Sequence, residues 1–173
     1  MSDQREEIFQ HTISVIVDNE AGVLARVIGL FSGRGYNIDS LTVAAVADND
    51  STSRITIVTS GTKMVIEQIK AQLERLVPVH VVGDLTLEGP AVERELALIK
   101  VSGVGEARVE SLRLADAFRA RVVDSTSTSF IFELTGKSTK ISAFIDLMQE
   151  LGLVEVARTG VVALSRGKTG LEQ

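Results

Sequence analysis

Along "HTISVIVDN" the apolar residues Ile13, Val15 and Val17 alternate with Thr12, Ser14 and Ile16, the period of a half-buried strand, which predicts a first strand over His11–Val17. The period then lengthens. Val23, Leu24, Val27, Ile28 and Phe31 recur at helical spacing, and Gly33 and Gly35 follow as a left-handed stop, so a helix is predicted over Ala21–Ser32. "NIDSLTVAAVA" and "SRITIVTSG" return to period two on either side of an acidic turn at Asp48–Ser51, which reads as a hairpin. A second helix follows from Thr62, with Val65, Ile66, Ile69, Leu73 and Leu76 on one side. Pro78 ends it, and "VHVVGDLTL" supplies a fourth strand. The predicted order is β-α-β-β-α-β.

That order recurs in the second half. "ERELALIKVSG" reads as a strand, "GEARVESLRLADAFRA" as a helix, "RVVDSTSTS" and "FIFELTG" as a strand pair, "STKISAFIDLMQELG" as a helix, and "LVEVARTGVVAL" as a final strand. The residues themselves do not repeat, so this is a repeated architecture rather than a solenoid, with its boundary at "LEGPAVE", where Gly89-Pro90 breaks the last strand of the first half. The expected fold class is α+β: two tandem ferredoxin-like βαββαβ domains, over residues 10–87 and 92–167. One face of each sheet would lack a helix cover. Ile16, Val43 and Val58 fall on or near that face in the first domain, which predicts pairing with another domain or chain, and a homodimer.

Composition narrows the function classes. A net charge of -5 argues against nucleic acid or an anionic membrane as partner, because both reward clustered Lys and Arg. The absence of cysteine excludes disulfides, thiolate chemistry and Cys-ligated metals, and fits a reducing compartment, the cytosol. The polar start "MSDQREEIFQHT" and the lack of a long apolar run predict a soluble, untargeted chain. With six Phe, one Tyr and no Trp, small and β-branched aliphatics are expected to build the core.

The tempting catalytic motifs dissolve on inspection. "GKS" at 136–138 and "GKT" at 167–169 have Ile131 and Val162 where a phosphate loop needs its leading glycine. "GVGEAR" has Arg108 where a dinucleotide turn needs a third small residue, in a unit of the wrong topology, so it reads as a strand-helix turn. His11 and His80 sit in strand patterns without neighbours at ligand spacing, which predicts surface or sheet-edge histidines and no metal site. "DND" at Asp48 lacks the glycine and distal glutamate of a calcium loop. No nucleophile signature is present, and no catalytic residue is assigned.

One stretch, "VDNEAGVLARVIGLFSGRGYNIDS", does carry binding chemistry. Asp18 or Asn19 is placed to cap the first helix, and capping alone is one reading of them. The other reading adds Gly22, whose missing side chain would let a carboxylate approach the free amides at the positive helix end. Asn37, which both donates and accepts, suits a zwitterion, and Val23, Leu24 and Ile38 would form a small apolar pocket. The implied ligand is a small amino acid.

"NEAGVLARVIGLFSGRGYNIDSLTVA", "SRITIV", "VERELALIKV" and "VEVARTGVVALSRG" together resemble the regulatory (small) subunits of acetolactate synthase, an ACT-domain family. The resemblance implies a chain with no active site and no cofactor of its own. It implies a catalytic large subunit as partner, which carries thiamine diphosphate, Mg and FAD, and which the chain activates and makes sensitive to valine or another branched-chain amino acid. It also implies a homodimer whose effector contacts are Asn19, Glu20, Ala21, Gly22, Val23, Leu24, Asn37 and Ile38, shared between chains. "VAAVADNDST" and "TSTSTSFIF" depart from the family pattern, leaving the preferred effector open. The runner-up is an ACT-type sensor of a different metabolic enzyme.

Overall fold

The computed structural model describes residues 7–46 and 49–171. The chain divides into two units, residues 1–92 with 161–173, and residues 93–160. Each is a ferredoxin-like βαββαβ sandwich.

In the first unit, β1 (Phe9–Asp18), α1 (Val23–Arg34), β2 (Ser40–Val46), β3 (Asn49–Gly61), α2 (Lys63–Glu74) and β4 (Val79–Asp84) form an antiparallel sheet in the order β2-β3-β1-β4. Ile13, Val15 and Val17 of β1 face Val27 and Phe31 of α1 and Ile66, Ile69 and Leu73 of α2, all buried. Removing that aliphatic surface from water is the main source of this unit's stability. Thr62 caps α2 by accepting from Val65 N–H at 3.4 Å. The hairpin differs from expectation, because Asn49, Asp50 and Ser51 of the predicted acidic turn belong to β3; its first residue, Asp48, lies outside the described residues.

The helix-free face of this sheet is also covered. Ile16 is 3% and Val58 4% exposed, while Val43 is 43% exposed. Part of that cover comes from the chain's own residues 161–171. Val161 and Ala163 pack with Val58 and Leu85. Val161 N–H donates to Ser40 Oγ and Thr42 Oγ1 donates to Val161 O, both at 2.9 Å. Leu171 packs directly over Gly83 of β4, where an added Cβ would lie 2.2 Å from its Cδ1. Arg166 N–H donates to Pro90 O at 2.9 Å. The segment holds β9 (Val162–Ser165), so the predicted final strand breaks in two at Thr159-Gly160-Val161.

The second unit repeats the order with β5 (Ala91–Ser102), α3 (Gly105–Phe118), β6 (Arg121–Ser125), β7 (Ser129–Gly136), α4 (Ser138–Gln149) and β8 (Leu153–Arg158), the sheet running β6-β7-β5-β8. Its core corrects the aliphatic expectation. Phe130 and Phe132 meet at 5.4 Å, Phe132 and Phe144 edge to face at 5.9 Å, and Phe118 and Phe144 at 5.3 Å. Glu95, 4% exposed, binds Arg158 in two-pronged fashion, Nε to Oε1 at 2.7 Å and Nη2 to Oε2 at 2.8 Å, and Ser138 Oγ donates to Oε2 at 2.8 Å. The Arg158 guanidinium holds the Glu95 carboxyl below its ordinary value against the opposing effect of burial. The link ties β5, β8 and the start of α4 together.

Candidate functional site

The predicted site residues fall into two groups on the first unit. Asn19 and Glu20 are exposed in the turn after β1, and Ala21 and Gly22 complete it. The cap of α1 is Gly22, at φ 88° and ψ −9°, with no side-chain cap hydrogen bond. This corrects the capping reading of Asp18 and Asn19. Asp18 N–H donates to Pro78 O at 2.8 Å and its Oδ1 lies 2.6 Å from His80 Nε2, while Asn19 N–H donates to Ser51 O at 2.7 Å. Gly22 is required by its left-handed backbone, which costs other residues roughly 1–2 kcal/mol, and a Cβ there would meet nothing within 4 Å. No acidic residue lies in the first turn of α1. The cap residue itself thus supplies no side-chain acceptor, Val23 N–H bonds back to Glu20 O at 3.4 Å, and the space beside Gly22 at the positive end of this 12-residue helix is open to an anion.

Asn37 and Ile38 lie in the segment between Gly35, the left-handed C-cap of α1, and β2. Thr59 Oγ1 donates to Asn37 O at 2.6 Å, and Asp39 N–H donates to Val58 O at 2.8 Å, so this segment is pinned along β3. The Asn37 side-chain amide donates to Asp39 Oδ1. Asp39 Oδ2 accepts from Ser60 Oγ at 2.7 Å and from Gln10 Nε2 at 3.2 Å. Polar groups from the start of β1, the end of β3 and the approach to β2 therefore converge on one exposed carboxylate.

Within one chain the two groups do not meet. In the β1–β3 register Gln10 pairs with Ser60, beside Asn37, and Asp18 pairs with Thr52, beside Asn19. Eight residue steps along β1 separate these pairs, about 27 Å at ~3.4 Å per residue. The helix itself runs back along the sheet, so its start and its end are necessarily at opposite edges. The single-chain pocket of Val23, Leu24 and Ile38 does not form either. Val23 is buried in the core with Val27, Leu30 and Phe31, Ile38 packs against that core, and Leu24, 37% exposed, is left on the surface.

The histidines divide: His80, on the edge strand β4, is exposed as expected, whereas His11 departs from the expectation of a surface or edge residue. His11 is buried, with Nδ1 2.8 Å from Oδ2 of the fully buried Asp84, and His80 pairs with Asp18. Each has one acidic partner, and among the described residues no group of three or more His, Cys, Asp and Glu is placed to hold a metal ion. Among the same residues no helix is long and apolar enough to cross a membrane. Sequence reasoning also passed over Asp39, Gln10 and Ser60. Asp39 was within reach as the second residue after Asn37, whereas Gln10 and Ser60 join it only through strand register.

Two family models match the chain, one described as an AHAS small subunit-like ACT domain over residues 13–81, the other as the small subunit of acetolactate synthase over residues 94–167. The probable acetolactate synthase small subunit of Archaeoglobus fulgidus is 51% identical over 158 residues, covering 91% of this chain and 98% of the relative. The acetolactate synthase isozyme 3 small subunit of Escherichia coli is 47% identical over 156 residues, 90% of this chain and 94% of the relative. A crystal structure of the acetolactate synthase small subunit from Thermotoga maritima matches with a TM-score of 0.84 at 38% identity, covering 93% of this chain and 99% of that one.

Proposed function

The chain belongs to the acetolactate synthase small-subunit family, and from that premise we propose that it is a regulatory partner of a catalytic large subunit, raising its activity and conferring inhibition by valine or a related branched-chain amino acid. The observation that carries the effector reading is the uncapped, open start of α1 at Gly22, which offers backbone amides and a positive dipole to a carboxylate. A small amino acid cannot span the distance from there to Asn37 of the same chain. It touches both groups only if a second copy brings its Asn37 beside the first copy's Gly22.

The outer face of α1 supports such a pairing. Ala25, Gly29 and Gly33 recur every four residues, flanked by Leu24 and Ile28, each 37% exposed. A Cβ at Gly29 or Gly33 would meet nothing within 4 Å. Each interior glycine costs a helix about 1 kcal/mol relative to alanine, and the chain's own packing does not require it. Close antiparallel approach of α1 to α1 of a second copy makes use of both glycines and sets each helix start beside the other's end. Effector binding then favours one dimer geometry, and through linkage the activating or the inhibited state of the large subunit.

The test is to mix the purified chain with the acetolactate synthase large subunit and assay acetolactate formation from pyruvate with and without valine. Stimulation without valine and its loss with valine are expected. The Asn19→Ala variant keeps the stimulation and loses the valine response. Undiminished valine sensitivity in that variant would sink the site assignment, and absence of both stimulation and binding would sink the partnership.

A further inference from the structure

An amino acid carries two opposite charges, and the site residues picked from the sequence answer only one of them. The start of α1 offers positive potential to the carboxylate. Asn37 is neutral, and its amide is already donated to Asp39. We propose that Asp39 receives the α-ammonium of the effector and thereby sets the preference for amino acids over the corresponding acids, with Asn37, Gln10 and Ser60 as positioning residues. This rests on the reading of the site as an amino-acid site shared between two chains.

Three observations carry it. Asp39 is exposed, and among the described residues no Lys, Arg or His forms an ion pair with it, so its charge is available to a ligand. Its two oxygens accept from three neutral donors, Asn37 Nδ2, Ser60 Oγ and Gln10 Nε2, which fix the carboxylate and leave acceptor capacity over, since a carboxylate has about four lone-pair directions. Its backbone is held as well, by Asp39 N–H to Val58 O at 2.8 Å and by the buried Thr59 hydroxyl to Asn37 O at 2.6 Å. A carboxylate oriented by neutral groups and lacking a counter-ion is a receptor built for a cation. It lies at the Asn37 end, away from Gly22, so in a two-chain site the ligand's carboxylate meets the helix start of one copy and its ammonium meets Asp39 of the other.

Calorimetric titration of the full chain with valine and with 3-methylbutanoate, which is valine without its amine, tests the assignment. The wild-type chain should strongly prefer valine. Asp39→Asn, which keeps the shape and removes the charge, should weaken valine roughly 10- to 100-fold, the range for a lost charge-assisted hydrogen bond. Its affinity for 3-methylbutanoate should stay within about twofold, because that ligand lacks the group Asp39 reads. Asp39→Glu keeps the charge and should keep the preference for valine, which separates electrostatics from a folding defect. Retention of the full valine preference in Asp39→Asn would overturn the proposal, as would its equal loss in Asp39→Glu. If the wild-type chain binds neither compound, the amino-acid reading of the site falls and the role of Asp39 falls with it.

Discussion

Strand β1 of the first unit is buried on both faces, from His11 through Val17, whereas its counterpart β5 in the second unit alternates buried and open positions from Glu95 to Ser102. The strands occupy the same place in the same topology, each third in its sheet order. The difference comes from a segment remote in sequence. Residues 161–171 lie over the helix-free face of the first sheet, and on the second sheet that face carries exposed Leu98 and the Lys100–Glu155 pair. The helix starts differ in the same instructive way. Each has a left-handed glycine at its start, Gly22 as the cap of α1 at φ 88° and Gly105 as the first residue of α3, after its cap Val104, at φ 59°, and neither cap residue makes a side-chain hydrogen bond. Yet α3 has Glu106 in its first turn, and α1 has no acid there. A carboxylate already sits at the positive end of α3, so an incoming anion is opposed there and welcomed at α1.

The largest effect should come from erasing that contrast. Gly22→Asp places a negative charge where the effector's carboxylate is proposed to sit, and like charges brought together cost several kcal/mol, roughly 100-fold or more in effector affinity. Stimulation of the large subunit should persist. Gly105→Asp makes the same change at an equally exposed, left-handed position, with a backbone cost of about 1 kcal/mol, and should leave valine inhibition curves where they were. If the two variants lose valine sensitivity alike, the helix start of α1 has no special role.

Why these details escape a reading of the sequence is physical. Periods of two and of 3.6 are local, so element order in both units was legible, down to Thr62 at the start of α2 and Gly35 at the end of α1. A cap made by a left-handed glycine leaves no side-chain signature, and Asp18 and Asn19 look like better caps until their backbones are found tied to Pro78 and Ser51. Thr12, Ser14 and Ile16 read as the open side of a strand because nothing nearby announces that residues 161–171 will cover that side. His11 and Asp84 are 73 positions apart, and Gln10 and Ser60 meet Asp39 only through register. Asn19 and Asn37 are close in the sequence, but a helix that crosses the sheet between them places them at opposite ends.

Stability sharpens the comparison from the other side. Arg158→Met would leave Glu95 buried without its partner, at a cost of about 3 kcal/mol, and hydrogen exchange should place the loss in β5, β8 and α4. Glu95 titrates below the ordinary 4.5 in the folded chain. The unfolded chain therefore binds its proton first as pH falls, and the link contributes fully above that value and fades as pH drops through the folded pKa. The gap between wild type and variant should accordingly be complete at neutral pH and close in acid. A gap unchanged by acid would assign the effect to packing. In the first unit, Val161→Ala removes two methyl groups from the covered face, about 1.5 kcal/mol. Here the loss should appear in β3, and its appearance in β8 and α4 instead would contradict the packing of Val161 against Val58 and Leu85.

The smallest effect is expected at Lys100, and it discriminates between two of the unit's acid-base pairs. Lys100 Nζ lies 2.8 Å from Glu155 Oε2, as short as the bonds between Arg158 and Glu95. On distance alone the two pairs would be equals. Their surroundings differ, since the Lys100 and Glu155 side chains are 41% and 68% exposed and the Glu95 side chain 4%. Water solvates both charges when the exposed pair parts, and salt screens their attraction within about 8 Å at physiological ionic strength. Each does shift the other, Lys100 upward and Glu155 downward, but a shift between solvated groups adds little to folding. Lys100→Met should therefore leave the urea midpoint within error of wild type at about 0.15 M salt. A loss comparable to that of Arg158→Met would mean that the open face of the second sheet is covered in solution, as the first sheet's is.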